Sequence, residues 1–489
     1  MKRTLYRTLL TFFALLLPVM WLAGGAGAQT LPATRTYKPL SSTALYAEYL
    51  PSSLLSLGVK AGQAVSIAIP DVSGNGHNIP AQTTVAYQPT LVAPTHPRGP
   101  LSVYSLRFAP GNYVPTGFAM TGEYTILYVT RLNVNFPGGD GGKHPFLQAL
   151  GPAPNYNQWS SGLTAGQYYT RPASNHNGDD YGGYVGPTAN QVGDLVTMAI
   201  MHSASGTMKV NYDARGAIAN SVPAYADMPN LAIGDPNNGN LQGGADQNMI
   251  VMLLYSRQLS DAEIRAETYN IGVNLMHNQS YYLFGNSLLT GYTATAGLDA
   301  LTLINQEIGD PDIHCRNSSI VGIQTNAMLS GMGNYTGSYQ PIWGKQTAIW
   351  KELTNDIYLG AVTPAQAIAN AQQFVGNCLA IGFDSVAVST YQPRSSESPG
   401  DNNANNRSAI NAAMATLVKS DPRLFLMDDG RDSRWGISGQ QGVTTWYTND
   451  SVHFNDAGYI AFAHDYIVPT LRNMGIGANV QAGTKRRIQ

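Results

Sequence analysis

The sequence predicts two folded domains in succession. An antiparallel β-sandwich spans residues 29–278, and an α/β three-layer domain with a parallel sheet spans residues 279–474. Three observations predict this. The chain has 489 residues, more than one hydrophobic core accommodates. Up to residue 278, short apolar runs alternate with Gly, Asn, Asp and Pro clusters and show no long helical period. From residue 279 onward, strand-like runs alternate with helical periods, the pattern of parallel strands joined by crossover helices.

The N-terminus reads as a targeting segment. Lys2, Arg3 and Arg7 precede an apolar run over residues 9–22, and Ala26-Gly27-Ala28 supplies small residues for cleavage before Gln29. Residues 1–28 are therefore expected to be a signal peptide, and the chain secreted or periplasmic. Its removal leaves a mature net charge of −5, with 25 basic against 30 acidic residues. Charged residues make up only 12% and Gly numbers 51, which suits a turn-rich extracellular protein. No basic face is present to bind nucleic acid, and no later run is apolar enough to span a membrane. Cys315 and Cys378 are the only cysteines. Their spacing carries no metal signature, and whether they pair stays open.

In the sandwich, 71–77 is a turn cluster, and strands are expected at 124–130, 195–202, 208–212 and 249–255. Ser260-Asp-Ala-Glu263 forms a capping box that opens a short helix over 262–269. In the α/β domain, strands are expected at 281–284, 347–351, 385–390 and 424–427. Thr363-Pro-Ala-Gln366 opens a helix whose apolar positions run to Leu379, and further helices are expected at 408–418 and 456–471. Residues 475–489 read as a polar tail.

The chemistry concentrates in four segments of the α/β domain. Gly285-Asn286-Ser287 follows an apolar strand, where a parallel sheet presents reactive groups. Gly322 lies in Ser319-Ile-Val-Gly-Ile323, and Asn355 in Thr354-Asn355-Asp356 directly after another strand. Asp450 stands three residues before His453, close enough to hold one imidazole nitrogen and leave the other free as a base. Acyl transfer needs a nucleophile, a base, an orienting carboxylate and donors for the oxyanion. Ser287, His453 and Asp450 suit the first three roles. The backbone N–H groups of Ser287 and Gly322 and the side-chain amide of Asn355 suit the fourth.

These blocks, in this order, resemble the SGNH/GDSL hydrolases over residues 281–471. The resemblance implies a flavodoxin-like α/β sandwich, a serine acylated during turnover, and no metal or other cofactor. It assigns Ser287 as nucleophile, His453 as base, Asp450 as its partner, and Ser287, Gly322 and Asn355 as the oxyanion hole. Two positions depart from the family pattern. Asn286 stands where the family has Asp, and Leu353 stands where it has Gly, which bears on the shape of the loop beside the site. His314 and His464 read as structural, and Glu352 and Asp356 lie near the site without a role the sequence reveals.

Residues 71–77 and the run 249–264 resemble the two ends of concanavalin A-like (laminin G-like) sandwiches, over residues 41–276. Such domains often bind carbohydrate and sometimes Ca²⁺. Between residues 155 and 184, Trp159, Tyr168, Tyr169, Tyr181 and Tyr184 recur among Gly and Asn, a composition suited to stacking on sugar faces in a binding loop. The alternative is that these aromatics pack the loop on its own sandwich. Asp179 and Asp180 alone make a weak calcium signature.

Together these expectations describe a secreted serine esterase acting on O-acyl groups, such as acetyl esters on carbohydrate. Its partners are an acylated carbohydrate or other small ester, with no nucleic acid. The alternative is a glycan-binding or adhesion protein with an inactive hydrolase domain, which the departures at Asn286 and Leu353 leave open.

Overall fold

A computed structural model of the chain describes residues 37–477, except 97, 118, 134–142, 151–156, 165–166, 173–183, 186–194, 205–207, 213–216, 221–226, 229, 235–245, 333–338, 359–361, 395–396, 401, 440 and 442. The expected signal peptide and most of the polar tail lie outside the described residues.

Two antiparallel sheets build the first half. The larger runs in the order Ala217–Asn220, Met208–Tyr212, Leu195–His202, Tyr124–Leu132, Gln247–Tyr255, Ser105–Phe108 and Thr90–Val92, with Leu45–Tyr49 also on Gln247–Tyr255. The smaller runs Tyr184–Val185, Gln167–Pro172, Asn157–Thr164, Lys143–Leu150, Leu231–Gly234 and Tyr113–Pro115. Ile126, Tyr128, Met198 and Ile200 of the larger sheet share a core with Phe146, Leu147, Leu231 and Ile233 of the smaller. The opposite face of the larger sheet, through Leu127, Val129, Met201 and Leu253, packs on Ile264 and Ile271. Burial on both faces explains why its central strands read as unbroken apolar runs and not as alternating ones.

The capping box forms as expected. The Ser260 hydroxyl accepts from the Glu263 N–H, and Glu263 accepts from the Ser260 N–H, starting the helix Asp261–Asn270. This helix continues through a π-turn, Ile271–Leu275, almost directly into the next strand. Gly272 is needed there because a Cβ would stand 2.4 Å from the Ile342 carbonyl. Arg98, buried, donates to Gln279 at 2.6 Å and pairs with Asp310 at 3.0 Å, and Tyr269 donates to Asp384 at 2.6 Å. These contacts fasten the sandwich to the α/β sheet.

That second sheet has five parallel strands: β1 (Gln279–Gly285), β2 (His314–Asn317), β3 (Lys345–Lys351), β4 (Ser385–Ser389) and β5 (Leu424–Met427). Their spatial order is β2-β1-β3-β4-β5, a doubly wound arrangement whose order switches between β1 and β3. Tyr281, Leu283 and Ile349 face a core shared with Ile304, Phe462 and Leu471, while Tyr282, Phe284 and Trp350 face one shared with Ala371, Phe374 and Met414. Helices therefore cover both faces. Thr363 caps the helix Pro364–Ile381 by accepting from the Gln366 N–H at 3.3 Å. The reciprocal half of the expected box is absent, because the Gln366 side chain turns to Asn370 instead. Cys315 packs against the first core and Cys378 within the second, on opposite faces of the sheet, and both are free thiols.

Below the strand ends, Lys351 and Asp429 form a buried ion pair at 2.5 Å, and Ser389 bonds both partners. It ties the C-terminal ends of β3 and β4 to the residue two beyond β5. Among the described residues, no helix is long and apolar enough to cross a membrane.

Candidate active site

The candidate residues converge at the C-terminal edge of the parallel sheet. β1 ends at Gly285, where a Cβ would lie 2.1 Å from the Lys351 carbonyl, so only glycine allows the two strands this approach. Asn286 then caps the short helix Ser287–Thr290, its side-chain oxygen accepting from the Leu288 N–H at 3.0 Å. Ser287 begins the helix, so its N–H has no intrahelical acceptor.

His453 comes from far along the chain. Its loop is held by Thr448 and Phe454: the Thr448 N–H donates to the His453 carbonyl at 2.9 Å, and Tyr447 bridges to Phe454. The loop after Ser287 is bound to the helix that follows His453. Tyr459 donates to the Tyr292 carbonyl at 2.8 Å, and Thr295 bonds Asp456 through both N–H and hydroxyl. Gly458 permits this helix to pack closely, since a Cβ there would meet the Trp446 carbonyl at 2.3 Å.

The outcome is a linear arrangement. His453 Nε2 lies 2.8 Å from Ser287 Oγ, and His453 Nδ1 lies 2.6 Å from Asp450 Oδ2. A carboxylate on Nδ1 holds the proton there and leaves Nε2 as the acceptor for a hydroxyl proton. The second Asp450 oxygen accepts from Thr448 Oγ1 at 2.6 Å and from the N–H groups of Val452 and His453, both at 2.9 Å. Partial burial pushes the Asp450 pKa up, but the hydrogen bonds from His453, Thr448 and Val452 outweigh it and hold the carboxyl well below its usual range. The exposed ring of Tyr292 meets the His453 imidazole edge to face, with centroids 4.8 Å apart.

Gly322 and Asn355 reach the same region. Beyond β2 the chain keeps pairing with β1: the Ser318 N–H donates to the Leu283 carbonyl and that of Ile320 to the Gly285 carbonyl, each at 2.9 Å. Gly322, exposed and at φ +75°, follows two residues later. The Asn355 amide donates to the Ile323 carbonyl at 2.9 Å, joining the two loops. Its backbone N–H donates to Glu352 Oε1 at 2.9 Å, while Glu352 Oε2 accepts from Asn286 at 2.5 Å. One buried carboxylate thus links the segment before Ser287 to the segment holding Asn355.

Burial, and then the neighbouring Asp356, push the Glu352 pKa well up, against the hydrogen bonds it accepts; burial also raises Asp356. Asp356 in turn accepts from the Thr325 N–H at 2.7 Å. Leu353 keeps the conformation expected of a glycine, with φ +84° and its side chain fully buried.

Of the remaining candidates, Tyr181, Asp179 and Asp180 lie outside the described residues. Trp159, Tyr168, Tyr169 and Tyr184 stand on strand backbone: Asn157–Thr164 pairs with Gln167–Pro172, and Tyr169 is opposite Tyr184. The expected binding loop therefore contains two antiparallel paired strands, with Thr164 opposite Gln167. The side chains of these aromatics lie outside the described residues. His314 is half-buried and stacked on Trp343, and desolvation lowers its pKa to about 4. His464 forms a surface pair with Glu307 at 2.9 Å. Among the described residues, no three His, Cys, Asp or Glu side chains gather as metal ligands.

The sequence alone does not reveal Tyr292 or the bridging role of Glu352. The only trace was an unusual Asn286, whose partner lies 66 residues away in the chain.

No family model matches the chain, and no curated protein matches it. Among solved structures, it is similar to a psychrotrophic esterase from Pseudoalteromonas sp. (15% identity, 40% of this chain and 98% of that one, TM-score 0.33). It is also similar to a lipase/acylhydrolase from Enterococcus faecalis (16% identity, 40% and 96%, TM-score 0.32). A Bacillus subtilis protein, YxiM, is matched over 76% of this chain and 85% of its own (14% identity, TM-score 0.31).

Proposed function

We propose that the α/β domain hydrolyses carboxylic esters through an acyl-enzyme on Ser287. The observation that carries this reading is the chain of contacts from Ser287 Oγ through His453 to Asp450, at 2.8 and 2.6 Å. Ser287 Oγ attacks the ester carbonyl while His453 Nε2 takes its proton. Asp450 keeps the other nitrogen protonated and stabilises the imidazolium. The negative oxygen of the tetrahedral intermediate is met by the N–H groups of Ser287 and Gly322 and the amide of Asn355. Collapse breaks the bond to the alcohol, which leaves with the proton from His453. Water, deprotonated by His453, then attacks the acyl-serine and returns the enzyme with a carboxylic acid.

The finer reading is an acetyl or other short O-acyl ester on carbohydrate, outside the cytoplasm. It draws on the N-terminal targeting pattern and on a sandwich read as concanavalin A-like, with Trp159, Tyr168, Tyr169, Tyr181 and Tyr184 as its sugar-facing candidates. The test is turnover of p-nitrophenyl acetate by the full-length chain. Ser287→Ala is expected to lose on the order of 10³-fold or more in kcat. A wild type without turnover would leave the non-enzymatic glycan-binding alternative standing.

A further inference from the structure

Beyond the residues of the four blocks, Arg394 touches Asn355, one of the proposed oxyanion donors. Arg394 lies in the segment after β4, half-buried, and its Nη1 donates to Asn355 Oδ1 at 3.3 Å. The guanidinium rests over the Tyr358 ring, 5.4 Å from its centroid. The Tyr358 hydroxyl donates to Glu397 at 2.9 Å, and buried Glu397 is itself held by Arg407 at 2.8 Å and by Ser438 at 2.5 Å. Arg394 thus sits on a platform fixed from below by buried charged groups.

The contacts of Asn355 permit one orientation of its amide. A guanidinium only donates and a carbonyl oxygen only accepts. With Arg394 on one side and the Ile323 carbonyl on the other, at 2.9 Å from Nδ2, the amide oxygen must face Arg394 and the nitrogen must face the Ile323 loop. One Nδ2 hydrogen serves Ile323 and the second remains for another acceptor. Without Arg394, only the Ile323 carbonyl still opposes the flipped amide, whose Oδ1 would repel a developing oxyanion. The guanidinium charge beside Oδ1 also polarises the amide, making its N–H a better donor as negative charge builds.

We propose that Arg394 is a positioning residue for ester hydrolysis: it locks and polarises the Asn355 amide so that Nδ2 faces the transition-state oxyanion. The inference rests on the serine-hydrolase reading above. It predicts an effect on the chemical step and not on substrate affinity, transmitted mainly through Asn355, although Arg394 also feels the charges of Glu352 and Asp450.

The experiment is a double-mutant cycle with p-nitrophenyl acetate on the full-length chain, with melting curves for every variant. Arg394→Met is expected to lower kcat by about 10- to 100-fold with KM within about twofold, less than the roughly 10²- to 10³-fold loss for removing an oxyanion donor outright. Arg394→Lys keeps the charge but loses the planar donor that stacks on Tyr358, and is expected to fall between Met and wild type. In an Asn355→Ala background, Arg394→Met should change kcat by less than about threefold, because the group it acts through is gone. Equal losses in both backgrounds, or a rise in KM alone, would overturn the positioning role. The same holds if Arg394→Met leaves kcat unchanged while Ser287→Ala is inactive, in which case the serine mechanism stands without it. Should wild-type turnover be absent or survive Ser287→Ala, both this role and the mechanism beneath it fall. If Arg394→Met does not fold, the Lys variant carries the test, and wild-type kcat in folded Arg394→Lys with a wild-type dependence on Asn355 overturns the role.

Discussion

The side-chain nitrogen of Asn286 lies 2.5 Å from the Glu352 carboxylate, and both residues are buried. This contact explains the first departure from the Gly-Asp-Ser pattern. An amide can donate to a buried carboxylate while its oxygen still caps the helix at Leu288. An ionised aspartate would keep the cap but could meet Glu352 only if that carboxyl held a proton.

Asn286→Asp would therefore set a second carboxyl against Glu352. Two buried carboxyls at this distance cannot both ionise, so one keeps its proton in the folded state. The Glu352 pKa already stands well above its ordinary value through burial and Asp356. A group raised in this way contributes stability below the unfolded value of about 4.3, and that contribution is lost as pH rises through the folded value. The substitution enlarges the effect. The melting midpoint of Asn286→Asp is expected to lie below that of wild type, with a larger deficit at pH 8 than at pH 5. Equal deficits at both pH values would show that the two groups do not share a proton.

Asp450→Asn separates charge from geometry. Asparagine retains an oxygen for Thr448 Oγ1 and the N–H groups of Val452 and His453, so the loop should hold. Its amide nitrogen would face His453 Nδ1, however, and favour the tautomer that places the proton on Nε2, where it cannot accept from Ser287. A loss in kcat on the order of 10³- to 10⁴-fold is expected, with little change in melting midpoint. In the wild type, Asp450 stays ionised on acidification, since its hydrogen bonds hold its pKa well down. An acid decline of turnover therefore does not come from protonation of Asp450.

The convergence of Ser287, His453 and Asp450 was legible because each stands in a local pattern: a glycine at a strand end, and a carboxylate three residues before an imidazole. The long apolar strands were equally readable, and Leu195–His202, Met208–Tyr212 and Leu424–Met427 fall on their expected bounds. β2 escaped because His314-Cys-Arg-Asn317 is short, polar and at the edge of its sheet, where pairing with β1 alone overrides propensity. Arg394 and Glu352 escaped for a different reason. Their partners are set by how loops after different strands meet above the sheet, and no spacing along the chain encodes that meeting.

Leu353 is the second departure, and its conformation makes an unusual prediction. At φ +84° a residue with a Cβ is strained by about 1–2 kcal/mol relative to glycine. Yet the side chain is fully buried in the core with Phe374 and Val375, and truncating a buried leucine costs about 2–5 kcal/mol. Packing outweighs strain, which accounts for leucine at a glycine-like position. Both Leu353→Ala and Leu353→Gly should therefore lower the urea midpoint. Their order should reverse the usual one: alanine keeps the strain without the packing, whereas glycine relaxes it. After allowing for the greater unfolded-state freedom of glycine, the Gly variant is expected to be the more stable by roughly 0.5–1 kcal/mol. An alanine variant that outlasts the glycine variant in urea would mean that the backbone at residue 353 is not held in the left-handed region in solution.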